Sequence, residues 1–178
     1  MKIISKNLLL GISASLIFFA CKKDDNTKGD NILNTQDRSF ILQTSLGNSA
    51  EVGAGGLASS SGEDQMIKDF GQQMVTDHTT AQTELKSLGA DLGVGTPDSV
   101  DANHKAIMDT LMTLSGRAFD SIYIMSQIAD HQNVIDQFEE EVSSGNKKEV
   151  INYANKYLPK LQMHLQMADS IATEMNFK

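Results

Sequence analysis

The chain has 178 residues, a formal charge of −8 from 15 lysines and arginines against 23 acids, and one cysteine, Cys21. A chain of this charge does not seek nucleic-acid phosphate. With one cysteine no intramolecular disulfide forms, so the fold rests on its core.

Residues 1–20, MKIISKNLLLGISASLIFFA, have the proportions of a secretory signal peptide. Lys2 and Lys6 precede an apolar run from Leu8 to Ala20 that is too short to serve as a stable membrane span. Small Ala20 directly before Cys21 resembles a bacterial lipoprotein processing site, although Phe18 stands where that motif more often has leucine. The expectation is that Cys21 is lipidated and becomes the new N-terminus. Removing residues 1–20 takes away two lysines and no acid, so the charge moves from −8 to −10 and attachment to the membrane falls to the lipid. Residues 21–34 then read as a polar tether, and KKDDNTKGDN resembles a lysine-and-aspartate signal of surface lipoproteins. The expected location is the outer membrane, on its periplasmic face or at the cell surface.

Residues 35–178 read as one domain with two prolines, Pro97 and Pro159, and no period-two stretch long enough for strands. The first helix is expected from Asp37 to Ser59, with Phe40, Ala50, Ala54 and Leu57 inward and Gly47, Gly53, Gly55 and Gly56 admitting a neighbour closely. Ser61 reads as an N-cap with Asp64 three places on, opening a second helix. Its apolar stripe runs Ile67, Phe70, Met74, His78, Ala81, Leu85 and Leu88, so His78 sits in the seam. Gly89 to Asp98 is a breaker cluster, and a shorter helix follows from about Val100 to Leu114.

The third long helix holds Phe119, Tyr123, Gln127, His131, Val134 and Phe138 on one face. Asn146 with Glu149 is a further cap signal. The last helix repeats Val150, Ala154, Tyr157, Leu161, His164, Ala168, Ile171 and Met175 at spacings of three and four, with Pro159 inside it as a source of bending. Three of the four histidines therefore lie on apolar seams of three different helices.

The segments SLGNSAEVGAGGLA, IKDFGQQMVTDHTTAQTEL, FDSIYIMSQIADHQNVIDQF and YANKYLPKLQMHLQMA resemble the bacterial domain-of-unknown-function family 4142 over residues 38 to 172. The resemblance implies an all-α, ferritin-like, up-and-down four-helix bundle with a short extra helix before the third long helix. It also implies an exported protein, an acid where Glu51 stands, and histidines where His78, His131 and His164 stand. His104 falls outside that pattern and is expected to face solvent.

Ferritin-like di-iron enzymes place a glutamate three residues before a histidine on each of two helices. Here those positions hold Val75, Asp101, Ile128 and Leu161, none of them glutamate, which argues against that chemistry. Nucleophilic catalysis has no support either, because the only cysteine is the lipid site and no serine sits in a glycine-rich strand-to-helix turn. The primary expectation is a non-enzymatic binding or stress-related module of the cell envelope whose histidines form a satisfied polar layer. No protein partner can be named. The alternative is a transition-metal protein holding copper or zinc through His78, His131 and His164, with Glu51 as a fourth ligand and Met74 or Met167 lending sulfur. Asp77 is expected to make a solvent-side or cap-like contact one residue round the helix from His78.

Overall fold

A computed structural model describes residues 31–177. The expected signal peptide, Cys21 and the expected tether up to residue 30 lie outside the described residues. Five helices make up the domain: α1 Thr35–Ser61, α2 Gln65–Leu92, α3 Ala102–Leu111, α4 Gly116–Ser144 and α5 Lys148–Glu174. Among the described residues there is no strand, and no helix is long and apolar enough to cross a membrane.

Short turns make α1 with α2, and α4 with α5, two antiparallel hairpins. Phe40 near the start of α1 meets Phe138 near the end of α4, ring centroids 4.8 Å apart. Phe70 near the start of α2 meets Tyr123 near the start of α4 at 6.2 Å. Thus α2 and α4 run the same way, opposite to α1 and α5, and residues 93–101 with α3 carry the chain back along the bundle. Two hairpins joined by one long crossover is the ferritin-like arrangement. The expected all-α, ferritin-like fold class is borne out, but the connectivity is not simple up-and-down: the short extra helix is the crossover itself, giving directions of up, down, down and up.

Several boundaries differ from expectation. Ser61 ends α1, and Asp64 caps α2 by accepting from the Met66 N–H at 2.8 Å. α2 runs through Gly89 to Leu92 and stops at Gly93, whose φ of 65° is left-handed. The short helix starts only at Ala102 because Asp101 caps it, accepting from the N–H groups of Asn103 and His104. Asn146 does not cap α5; its side-chain amide donates to the Ile32 carbonyl at 2.7 Å. Of the glycines expected to admit a neighbour, only Gly55 touches α2 backbone, where a Cβ would lie 2.7 Å from the Gly71 carbonyl. Gly53 faces Met108 of α3, and Gly47 has open space beside it. Pro159 lies on the exposed side of α5 and does not end it.

Each end of the bundle is tied by a buried aspartate near the start of a helix. Asp120 of α4 accepts from the Glu63 and Asp64 N–H groups, both at 2.9 Å, and so holds the α1–α2 turn. Asp37 of α1 accepts from Asn146 and Lys147 N–H at 2.9 and 3.1 Å and so holds the α4–α5 turn. Both carboxylates satisfy backbone donors that a helix start leaves open. Beside Asp37 lies the fully buried Glu141. Burial, then the facing Asp37 carboxylate, pushes the Glu141 acid up to about 8. Burial pulls Asp37 upward too, but the Asn34, Asn146 and Lys147 amides outweigh it and hold Asp37 below its usual range.

The core is divided in two. Near the α1–α2 turn lie Ala58, Ile67, Phe70, Met74, Phe119, Tyr123, Ile128 and Ala168. Toward the other end lie Phe40, Ile41, Ala81, Leu85, Phe138, Tyr153 and Leu161. Between the halves every long helix places polar residues inward.

Two outcomes test this packing. Phe70, 1% exposed, should cost about 3 to 5 kcal/mol on replacement by alanine, read from urea unfolding midpoints. Glu141 holds its proton more tightly folded than unfolded, so its stabilisation is complete below its ordinary pKa of 4.5 and declines as the pH rises to about 8. Glu141→Gln should therefore flatten the loss of stability between about pH 5 and 8, by about 1 to 3 kcal/mol at the upper end.

Candidate functional site

The polar layer at mid-bundle brings together His78 of α2, His131 of α4 and His164 of α5, all buried. Their ring centroids form a near-equilateral triangle with sides of 5.9, 5.6 and 5.4 Å. One ring nitrogen from each lies within 4.8 Å of the other two. The convergence follows from the seam positions, because three helices of one bundle at one level point such residues at a common axis.

Each imidazole is held through one nitrogen only. His78 Nδ1 donates to Asn48 Oδ1 at 2.9 Å, His131 Nδ1 donates to the Gln127 carbonyl at 2.9 Å, and His164 Nε2 donates to Asp77 Oδ2 at 2.9 Å. The second nitrogens, His78 Nε2, His131 Nε2 and His164 Nδ1, have no hydrogen-bond partner among the described residues. This differs from the satisfied polar layer expected from the sequence.

The acceptors fix the tautomers. A backbone carbonyl and a carboxylate can only accept, so the protons sit on His131 Nδ1 and His164 Nε2. For His78 the argument runs through a chain of amides. Gln82 Nε2 donates to Ser45 Oγ at 2.9 Å and Asp98 Oδ1 at 3.3 Å, which leaves its oxygen to accept from Asn48 Nδ2 at 3.4 Å. Asn48 then presents its own oxygen to His78. Three lone pairs are left facing the middle of the bundle.

Burial also keeps these rings neutral. Burial, then the neighbouring His131 and His164, presses His78 well below its ordinary 6.5. Burial brings His164 down to about 4 despite the Asp77 carboxylate. His131 is lowered by burial against the opposing pull of the Gln127 carbonyl and Asp130. Neutral imidazole with a bare nitrogen is the form that binds a transition metal. An ion about 2.0 to 2.1 Å from each nitrogen needs the three nitrogens about 3.4 Å apart, a distance that small side-chain rotations reach.

Asp77 does not point to solvent. It is 8% exposed and reaches across to α5, accepting from His164, from Lys160 Nζ at 2.6 Å and from Gln73 Nε2 at 2.5 Å. Burial raises its acid, but those three donors outweigh burial and bring it down to about 2. A carboxylate behind an imidazole fixes the ring and makes its free nitrogen more basic, as it does around bound metals.

Glu51 of α1 is buried beside the triad without joining it. Its Oε1 lies 3.9 Å from His131 Nδ1, the nitrogen already used, and its Oε2 has no partner among the described residues. Burial pushes the Glu51 acid up to about 7, with the Gln127 side chain and His104 pulling back. Met74 and Met167 belong to the apolar half of the core beyond the histidines. His104 is partly buried, contrary to expectation. Its Nδ1 donates to Asp101, its Nε2 is 3.8 Å from Asp130, and it lines a cavity of about 30 Å³ together with Glu51, His78 and His131.

Sequence reasoning missed Asn48 and Gln127 as supports and misplaced Asp77. Asn48 had a signal, since it stands three residues before Glu51 and so shares its helix face. Gln127 acts through its backbone carbonyl, four residues before His131, which no side-chain pattern displays.

Fold and site together define a helical bundle with a buried three-histidine centre. The chain belongs to the family described as a domain of unknown function, DUF4142, whose pattern matches residues 23–171. That description names no activity. No curated protein matches the sequence. Among solved structures, the chain is similar in fold to a crystal structure of a DUF305 fragment from Deinococcus radiodurans, with a TM-score of 0.71 and 9% sequence identity. The match covers 80% of this chain and 98% of that one, and at this identity it speaks for the fold alone.

Proposed function

We propose that the protein binds one transition-metal ion, zinc or copper, at mid-bundle through His78 Nε2, His131 Nε2 and His164 Nδ1. The observation that carries this reading is the set of three buried, unpartnered ring nitrogens that face one another while each opposite nitrogen is anchored. A layer serving only helix register would leave each nitrogen orphaned at about 1 to 3 kcal/mol apiece, and one bound cation satisfies all three. Neutral nitrogen donors without thiolate suit zinc and copper. Glu51 supplies a carboxylate next to the centre and offsets part of the ion's charge. The role is to hold or carry the ion. The alternative drawn from the sequence thus replaces the primary expectation, in which the histidines form a satisfied polar layer.

The location that fits is the outer membrane, with the protein anchored by lipid on Cys21. The small residue before a lone cysteine, after a short apolar run, supports this.

After incubation with Zn²⁺ or Cu²⁺ and desalting, the purified protein should retain one ion per chain. Free ion at a hundred times Kd should raise stability by about 2.7 kcal/mol. His78→Ala, His131→Ala and His164→Ala should each lose both ion and stabilisation. A wild-type protein that retains no ion and gains no stability would refute the reading. For the anchor, labelled fatty acid should enter the wild type and not Cys21→Ser; an unlabelled wild type would remove the lipid from the account.

A further inference from the structure

The centre is closed on most sides, so an ion needs a way in, and only some of the bundle surface is built to admit one. An open groove lies between α1, α3 and α4, with Asp101, Asp130 and Asp136 on its walls and neither lysine nor arginine among its lining residues. His104 stands on its floor. The same His104 lines the 30 Å³ cavity that reaches His78 and His131, and groove and cavity adjoin along Gln43, His104, Val134 and Gln137, of which His104 is the one metal-ligating side chain.

His104 is arranged like the inner histidines. Asp101 takes up its Nδ1, which leaves Nε2 as the donor atom facing Asp130 Oδ2 at 3.8 Å. Behind it, Glu51 is more than nine-tenths buried and lines the cavity with Oε2 unpartnered. Gly47 of α1 lines the cavity too, and a Cβ added there would meet nothing within 4 Å. Its missing side chain keeps the passage open.

We propose that this groove is the loading route of the metal centre. His104 Nε2 and Asp130 form an outer way-station for a divalent cation, and Glu51 Oε2 passes the ion inward to His131 and His78. The inference rests on the metal reading of the triad. The three groove carboxylates draw a hydrated cation from solution, which a cleft lined by one sign of charge does efficiently. At the way-station an imidazole and a carboxylate replace two of its waters. The buried carboxylate of Glu51 then offers the next oxygen before the ion reaches the three nitrogens. Each donor on this path is weaker or fewer in number than the triad, so the ion ends at the centre.

The test separates rate from equilibrium. Co²⁺ serves as the probe, followed by its visible absorption after rapid mixing with the purified protein. His104→Ala should slow loading roughly tenfold, within the range that charged clefts contribute to association, while the final stoichiometry and spectrum stay those of the wild type. Gly47→Phe should slow loading and release together by filling the passage, and thermal unfolding checks that it is folded. If Gly47→Phe does not fold, Gly47→Leu takes its place. Unchanged loading rates in both His104→Ala and the plugged variant would overturn the route while leaving the centre intact. A wild type that takes up no Co²⁺, Zn²⁺ or Cu²⁺ would overturn both.

Discussion

The constraint on which the rest of this structure depends is that three neutral imidazoles share one buried layer, each with one ring nitrogen that no protein group pairs among the described residues. A buried nitrogen left without a hydrogen-bond partner costs the fold free energy. The surrounding architecture exists in the form needed to hold them there. Asn48, the Gln127 carbonyl and Asp77 each take the opposite proton, and the Gln82–Asn48 relay extends that hold to Ser45 and Asp98 on the loop after α2. A layer merely tolerated by the fold would spend those acceptors on pairing the histidines fully. Here they orient the rings and leave the same number of nitrogens free as a metal ion needs.

Holding three helices at one level to within an ångström requires that the bundle not slide. The two aspartate ties supply this. Asp120 binds the start of α4 to the α1–α2 turn, and Asp37 binds the start of α1 to the α4–α5 turn. The ties act at opposite ends and each joins one hairpin to the other, so longitudinal slippage of the hairpins would break both. The two apolar clusters then fix lateral spacing on either side of the layer.

Much of this was legible in the sequence because it depends on spacing. A stripe at intervals of three and four places Phe70, Met74, His78, Ala81 and Leu85 on one face, and all five are buried. The same arithmetic put His131 and His164 on their seams, and their meeting follows once the fold is a bundle. What spacing does not carry is contact between helices. Asp37 and Asp120 look like ordinary acids near a helix start, and only the packed structure shows their partners on a neighbouring hairpin. His104 was misread for the same reason. It lies on a short helix whose stripe says little, and its position is set by where the crossover lies against α1 and α4. Cap signals misled at Ser61 because Asp120 takes the Glu63 and Asp64 N–H groups that a local cap would serve, and at Asn146 because Asn31 Oδ1 takes the Lys148 N–H.

The adjacent Asp77 and His78 show how the site uses helix geometry. Neighbouring residues on a helix point about 100° apart, so they cannot both face the same centre. His78 points along the seam to the other two histidines, whereas Asp77 points to the side, toward α5, where His164 comes up one turn from Lys160. One helix thereby contributes a ring to the centre and, from the next residue, the carboxylate that orients a ring on another helix. The pair ties the angular position of α2 to that of α5, since rotating α2 to improve one contact spoils the other. His131 lacks this device, because Asp130 turns toward His104 and the ring relies on the Gln127 carbonyl of its own helix. That difference frees Asp130 to face the groove between α1, α3 and α4, where it lies beside His104.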